Sequence, residues 1–157
     1  MKPLRLLLVS VMALFATGHA LATDLVTYPI AEALAMQAAR DKLDPQIQLN
    51  FARQASEVVR GNRRDEWRVV ARNRRPVNGV SHTAFPESQM TEKEVCQLTF
   101  VQALKDLQNK ARVAGVQSVE QITSGWAQND MASDSLFTCA VGVATIGIQL
   151  RARAQQR

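Results

Sequence analysis

Polar and apolar residues alternate for three cycles along Gln46–Phe51, which predicts a half-buried strand with Ile47, Leu49 and Phe51 inward. Glu66–Arg72 alternates in the same way, with Trp67, Val69 and Ala71 on one face and Arg68, Val70 and Arg72 on the other. From Thr91 the period changes. Thr91-Glu92-Lys93-Glu94 is a capping box, and Cys96, Phe100, Ala103, Leu107, Ala111 and Ala114 then recur at helical spacing, with Gly115 placed to end the helix. An earlier helix is predicted over Ile30–Leu43, entered through Tyr28-Pro29 and stopped by Asp44-Pro45. Val116–Thr123 reads as a short strand, and 75–90 and Ser124–Ser135 read as loop or polar turn, with Trp126 favoured for the core.

Leu136–Leu150 reads as one strand-like run. Phe137, Cys139, Val141 and Val143 share a face, and Leu136, Ala140, Ala144, Ile146 and Ile148 form an equally apolar row opposite. A strand apolar on both faces sits centrally or meets a partner subunit. A homodimer through the second row is therefore expected, with cover by the N-terminal helix as the alternative. These elements together predict an α+β domain: an antiparallel-rich sheet of about four strands on one main helix, plus an N-terminal helix.

The first 22 residues stand apart from that pattern. Lys2 and Arg5 precede an apolar run from Leu6 to Ala16, and Ala20-Leu21-Ala22 supplies an A-x-A cleavage site. Eleven apolar residues are too few for a membrane span, which needs about 20. We read 1–22 as a signal peptide cut between Ala22 and Thr23, and 23–157 as a single exported domain in the periplasm or outside the cell. No cysteine follows the apolar run, so no lipid anchor is expected, and no later segment is apolar enough to span a bilayer.

Export changes the reading of the two cysteines. In an oxidising compartment Cys96 and Cys139 permit one pairing; a redox pair or two free thiols are the alternatives, but no C-x-x-C spacing favours them. With 46% apolar and 21% charged residues the 157-residue chain has ordinary globular composition, which excludes wholesale disorder. Two histidines and two cysteines exclude a multi-ligand metal protein, and no cofactor is expected.

The charge of +5 is unevenly spread. Residues 52–90 are Arg-rich and partly loop. Arg53, Arg60, Arg63, Arg64, Arg68, Arg72, Arg74 and Arg75 crowd one stretch, opposed only by Glu57, Asp65 and Glu66. Such a run suits phosphates of lipopolysaccharide or anionic lipid headgroups, with a plain solvated face as the alternative. Nucleic acid is not expected as a natural ligand, given export and a single interleaved aromatic, Trp67. Candidate catalysis is thin: Ser81 and His82 lack a nucleophile-elbow motif, and Asp130 and Asp134 lie in a polar turn without the features of a calcium loop.

Two stretches carry a family resemblance. One is Tyr28–Leu34 with Lys42-Leu43-Asp44-Pro45 and the strand at Ile47–Phe51. The other runs from Cys96-Gln97 through Ala103-Leu104, Leu107-Gln108, Ala111, Gly115 and Ile122-Thr123-Ser124 to Cys139, Gly142 and Gly147. Together they resemble small exported bacterial proteins often labelled "excinuclease ATPase subunit". The second stretch is distantly similar to the C-terminal domain of the RcsF envelope-stress lipoprotein, a small disulfide-bonded sheet packed on a helix. That lipoprotein has an anchor cysteine and two disulfides; this chain has neither the anchor cysteine nor a second pair. The resemblance implies a non-enzymatic envelope protein, sensor-like, meeting an anionic envelope component or an envelope protein. The excinuclease label does not fit the chemistry, since the sequence has no G-x-x-x-x-G-K-[ST] loop. Competing expectations are a hydrolase using His82 and a purely structural oligomer.

Overall fold

The longest helix forms where its sequence signals lie. A computed structural model describes residues 23–54, 66–76, 90–126 and 129–154, and in it α3 spans Glu92–Ala114. Thr91 Oγ1 accepts from the Glu94 N–H, and the Glu94 carboxylate accepts in return from the Thr91 N–H. At the other end Gly115 adopts φ 68°, the left-handed conformation a C-terminal cap requires, and its N–H reaches the Ala111 and Arg112 carbonyls. Cys96, Phe100, Ala103, Leu107 and Ala111 are fully buried, whereas Ala114 is exposed on the final turn.

The helix packs on a curled mixed sheet, so the fold is α+β. Among the described residues the sheet has seven strands, not about four: β1 (Asp24–Pro29), β2 (Gln48–Phe51), β3 (Glu66–Arg74), β4 (Ser118–Trp126), β5 (Asn129–Met131), β6 (Leu136–Val141) and β7 (Thr145–Ala154). β7 organises the rest. β3 pairs antiparallel along its full length, Glu66↔Arg153 to Arg74↔Thr145. The opposite edge of β7 is shared: β6 takes its first residues, through Ala140↔Gly147 and Val141↔Ile146, and β4 takes the remainder, from Gly125↔Gln149 to Val119↔Ala154. Two strands dividing one edge must diverge, and the sheet curls around α3. A bulge in β4 between Glu120 and Thr123, with Gln121 at φ 54°, adds to the bend. β1 extends the sheet beyond β6; β5 and β2 flank β4, and β2 is parallel to it because α3 lies in their connection.

The run from Leu136 to Leu150 is a hairpin, not one strand. Residues 142–144 form its turn, closed by the Gly142 N–H on the Thr145 carbonyl at 2.8 Å. That turn resets the alternation. Ile146 and Ile148 join Leu150 and Ala152 against α3 and are fully buried, while Val143 stands in solvent at 67% exposure. The second apolar row is therefore not a surface: Ala140 is buried as well, and only Leu136 and Ala144 are exposed. The argument for a homodimer from that row has no footing, and neither does the argument for cover by the N-terminal helix.

The N-terminal helix is also divided. α1 (Ile30–Ala35) and α2 (Gln37–Lys42) meet at Met36, whose ψ of 148° is extended. The residues before them, expected as a lead-in, form β1. Between α2 and β2 the chain is fastened by a buried glutamine: Gln108 Oε1 accepts from the Asp44 N–H, and its Nε2 donates to the carbonyls of Asp44 and Ile47. The core centres on Phe100, stacked on Phe137 at 4.1 Å between centroids, with Phe51 at 6.2 Å. Cys96 and Cys139 are bonded, tying α3 to β6 across a Cα–Cα distance of 6.0 Å.

Three surface carboxylates are held below their ordinary range: Glu32 by a hydrogen bond from Lys93, Asp44 by the Gln46 N–H and Arg112, and Glu94 by the Thr91 N–H and hydroxyl. Their folded-state affinity for protons is lower than in the unfolded chain. The stability they contribute is present above the ordinary carboxylate range and is lost as pH falls through their folded values. Thermal midpoints are expected to decline below about pH 4.5, and Asp44→Asn should flatten part of that decline.

Candidate anion-binding face

The alternation of β3 separates two chemistries. Val69 and Ala71 are buried against α3 with Trp67 packed beside them, as the sequence predicts. Arg68, Val70, Arg72 and Arg74 occupy the other side of the strand, away from the helix, and are exposed. The register of β7 adds Arg151 opposite Arg68 and Arg153 opposite Glu66. Five arginines among the described residues thus share one face of two paired strands.

Like charges placed directly opposite each other repel, and local partners offset this. Arg151 Nη1 contacts Asp130 at 2.8 Å, and its Nε lies 3.7 Å from Glu66. Arg68 Nη2 donates to Gln149 Oε1. Arg72 stands over the Trp126 ring at 5.8 Å from its centroid, a cation–π arrangement. Trp126 is half-buried on this outer face, not in the core as expected. Its indole lies on the backbone of Gly147: a Cβ there would come within 2.5 Å of the ring. The glycine lets the indole settle flat on the strand. Glu120, opposite Arg153, is engaged by Asn50 and Ser118.

The residues singled out from sequence are not all on this face. Arg68, Arg72 and Arg74 are. Arg75 is turned away: it pairs with Glu92 at 2.9 Å and donates to the Gly142 carbonyl, joining the end of β3 to the start of α3. Arg53 pairs with Asp134 elsewhere. Arg60, Arg63, Arg64, Ser81, His82 and the expected signal peptide up to Ala22 lie outside the described residues. Arg151, Arg153 and Gln149 were not anticipated, although Gln149-Leu150-Arg151-Ala152-Arg153 continues the alternation of the preceding residues. Reading the strand past Leu150 would have found the two arginines. Among the described residues no group of three or more His, Cys, Asp or Glu is placed to hold a metal ion.

No protein-family model, curated protein or solved structure matches the chain. The class it defines is structural: a disulfide-tied α+β fold of one long helix on a curled mixed sheet, with a cationic outer face.

Proposed function

We propose that the protein is an exported, non-enzymatic binding protein of the cell envelope, and that the β3–β7 face takes an anionic envelope component. The observation carrying this reading is the clustering of Arg68, Arg72, Arg74, Arg151 and Arg153, opposed by Glu66, Glu120 and Asp130. Guanidinium groups on a rigid sheet are preorganised for phosphate or carboxylate recognition. Export rests on the leader pattern, and a disulfide is consistent with an oxidising compartment. No helix among the described residues is long and apolar enough to cross a membrane. The resemblance to exported envelope proteins agrees with this reading and adds an envelope protein as a second class of partner.

The test is retention on immobilised heparin. Arg72→Gln, Arg74→Gln and Arg153→Gln combined should elute at markedly lower salt, because two exposed charges and one half-buried charge are removed from the face and their attraction is screened by ions. A control variant removes equal charge elsewhere, through Arg40→Gln, Lys42→Gln and Lys110→Gln, and should elute close to wild type. Equal elution of the two variants would show that net charge alone acts and that the face is not the site.

A further inference from the structure

Beneath the arginine rim, the outer face has two buried donors that make no hydrogen bond among the described residues. Gln149 sits in the middle of β7 and is 2% exposed. Its neighbours across the sheet are Val70 on β3 and Gly125 on β4, which carries no side chain, and the Trp126 indole lies over Gly147 two residues before it. Arg68 donates to Oε1, which orients the amide and leaves Nε2 as its free end. Nε2 is buried without a hydrogen-bond partner among the described residues. Two positions along the same face, Arg151 Nε is likewise buried without a hydrogen bond: Glu66 at 3.7 Å is within ion-pair range but beyond a hydrogen bond, and Asp130 engages Nη1 of the same guanidinium.

Buried donors without acceptors are uncommon, because each forgoes its hydration without compensation. Here two of them lie on one strand face, bordered by the guanidinium of Arg68. Arg68 and Arg72 are exposed, and Trp126 and Arg151 are half-buried, so the two donors lie one side-chain layer below the surface. We propose that Gln149, Arg151 and Arg68 form a seat for the terminal oxyanion of a phosphate or sulfate monoester. This rests on the anion-binding reading above and narrows it from charge to hydrogen bonding. A tetrahedral oxyanion offers several acceptor oxygens at once, which suits donors that approach from the amide and from two guanidinium planes.

Inorganic phosphate titrated into isotope-labelled protein at constant ionic strength, with chloride as reference, is expected to shift the Gln149 side-chain amide and the Arg151 Nε–H resonances saturably. Gln149→Met removes no charge, so a loss of phosphate affinity of about tenfold, that expected for one hydrogen bond to an anion, would come from the amide and not from the field of the face. Vesicles of phosphatidic acid, a monoester, compared with phosphatidylglycerol, a diester, at matched surface charge separate the sources. A preference for the first assigns the seat to a lipid headgroup, and equal vesicle binding with the phosphate shifts intact assigns it to a soluble ligand. Unmoved Gln149 and Arg151 signals in the wild-type protein, or equal phosphate affinity in Gln149→Met, overturn the seat and leave the charged face standing. Failure of the wild-type protein to bind heparin overturns the broader reading instead.

Discussion

Replacing Cys96 and Cys139 together by Ala is expected to lower the unfolding free energy by about 4 kcal/mol, the loop-closure entropy of a 43-residue separation. The bond joins the first turn of α3 to β6, so without it the unfolded chain samples far more conformations while the folded chain loses one covalent tie. Urea unfolding measures the effect. The midpoint should fall sharply, and the slope should rise as the unfolded state expands. A domain of this size has roughly 5–15 kcal/mol in total, so the reduced protein should sit near the edge of folding at physiological temperature. A loss below about 1 kcal/mol would mean that residual structure already restricts the two segments in the unfolded chain.

The second large effect is expected at Phe100. Its ring is fully buried, lies nearly parallel to Phe137 at an interplanar angle of 11°, and faces Phe51 from β2. Phe100→Ala should cost about 3–5 kcal/mol, combining lost burial with a cavity its neighbours cannot fill. They cannot collapse because Phe137 is fixed on β6 beside the Cys139 crosslink and Phe51 is held by pairing to β4. A cycle pairing Phe100→Leu with Phe137→Leu should return a coupling of about 0.5–1.5 kcal/mol for the stacked rings. Additive losses would show that burial alone, without the ring geometry, holds this part of the core.

The helix was legible because its signals are local. Thr91, Glu94 and Gly115 act within a few residues of the ends they define, and a stripe at helical spacing needs no knowledge of what it faces. Strands β2 and β3 were legible for the same reason, since alternation marks one wet face and one dry face. β7 hid its turn because Gly142-Val143-Ala144 is as apolar as the strands it joins; only the Gly142–Thr145 hydrogen bond distinguishes the reversal. β1 was obscured by Pro29, which reads as a helix start and serves both roles, closing β1 and preceding α1. In the candidate site, the arginines of β3 were visible as a cluster in sequence. Those of β7 became their neighbours only through long-range pairing, which composition does not record. Trp126 was misplaced because an aromatic usually gains by deep burial; here Gly147 opens a flat seat for it on the outer face.

The wiring of the sheet also sets when it can form. β1, the first strand described, pairs with β6, and β3, β4 and β6 all pair with β7, the last strand described. Four of the six pairings among the described strands thus need residues 136–154, and only β2–β4 and β4–β5 do not. Contacts this distant in sequence form slowly, because loop closure must precede the gain. A chain so arranged cannot complete its sheet until β7 is present, whatever the order in which the earlier elements form.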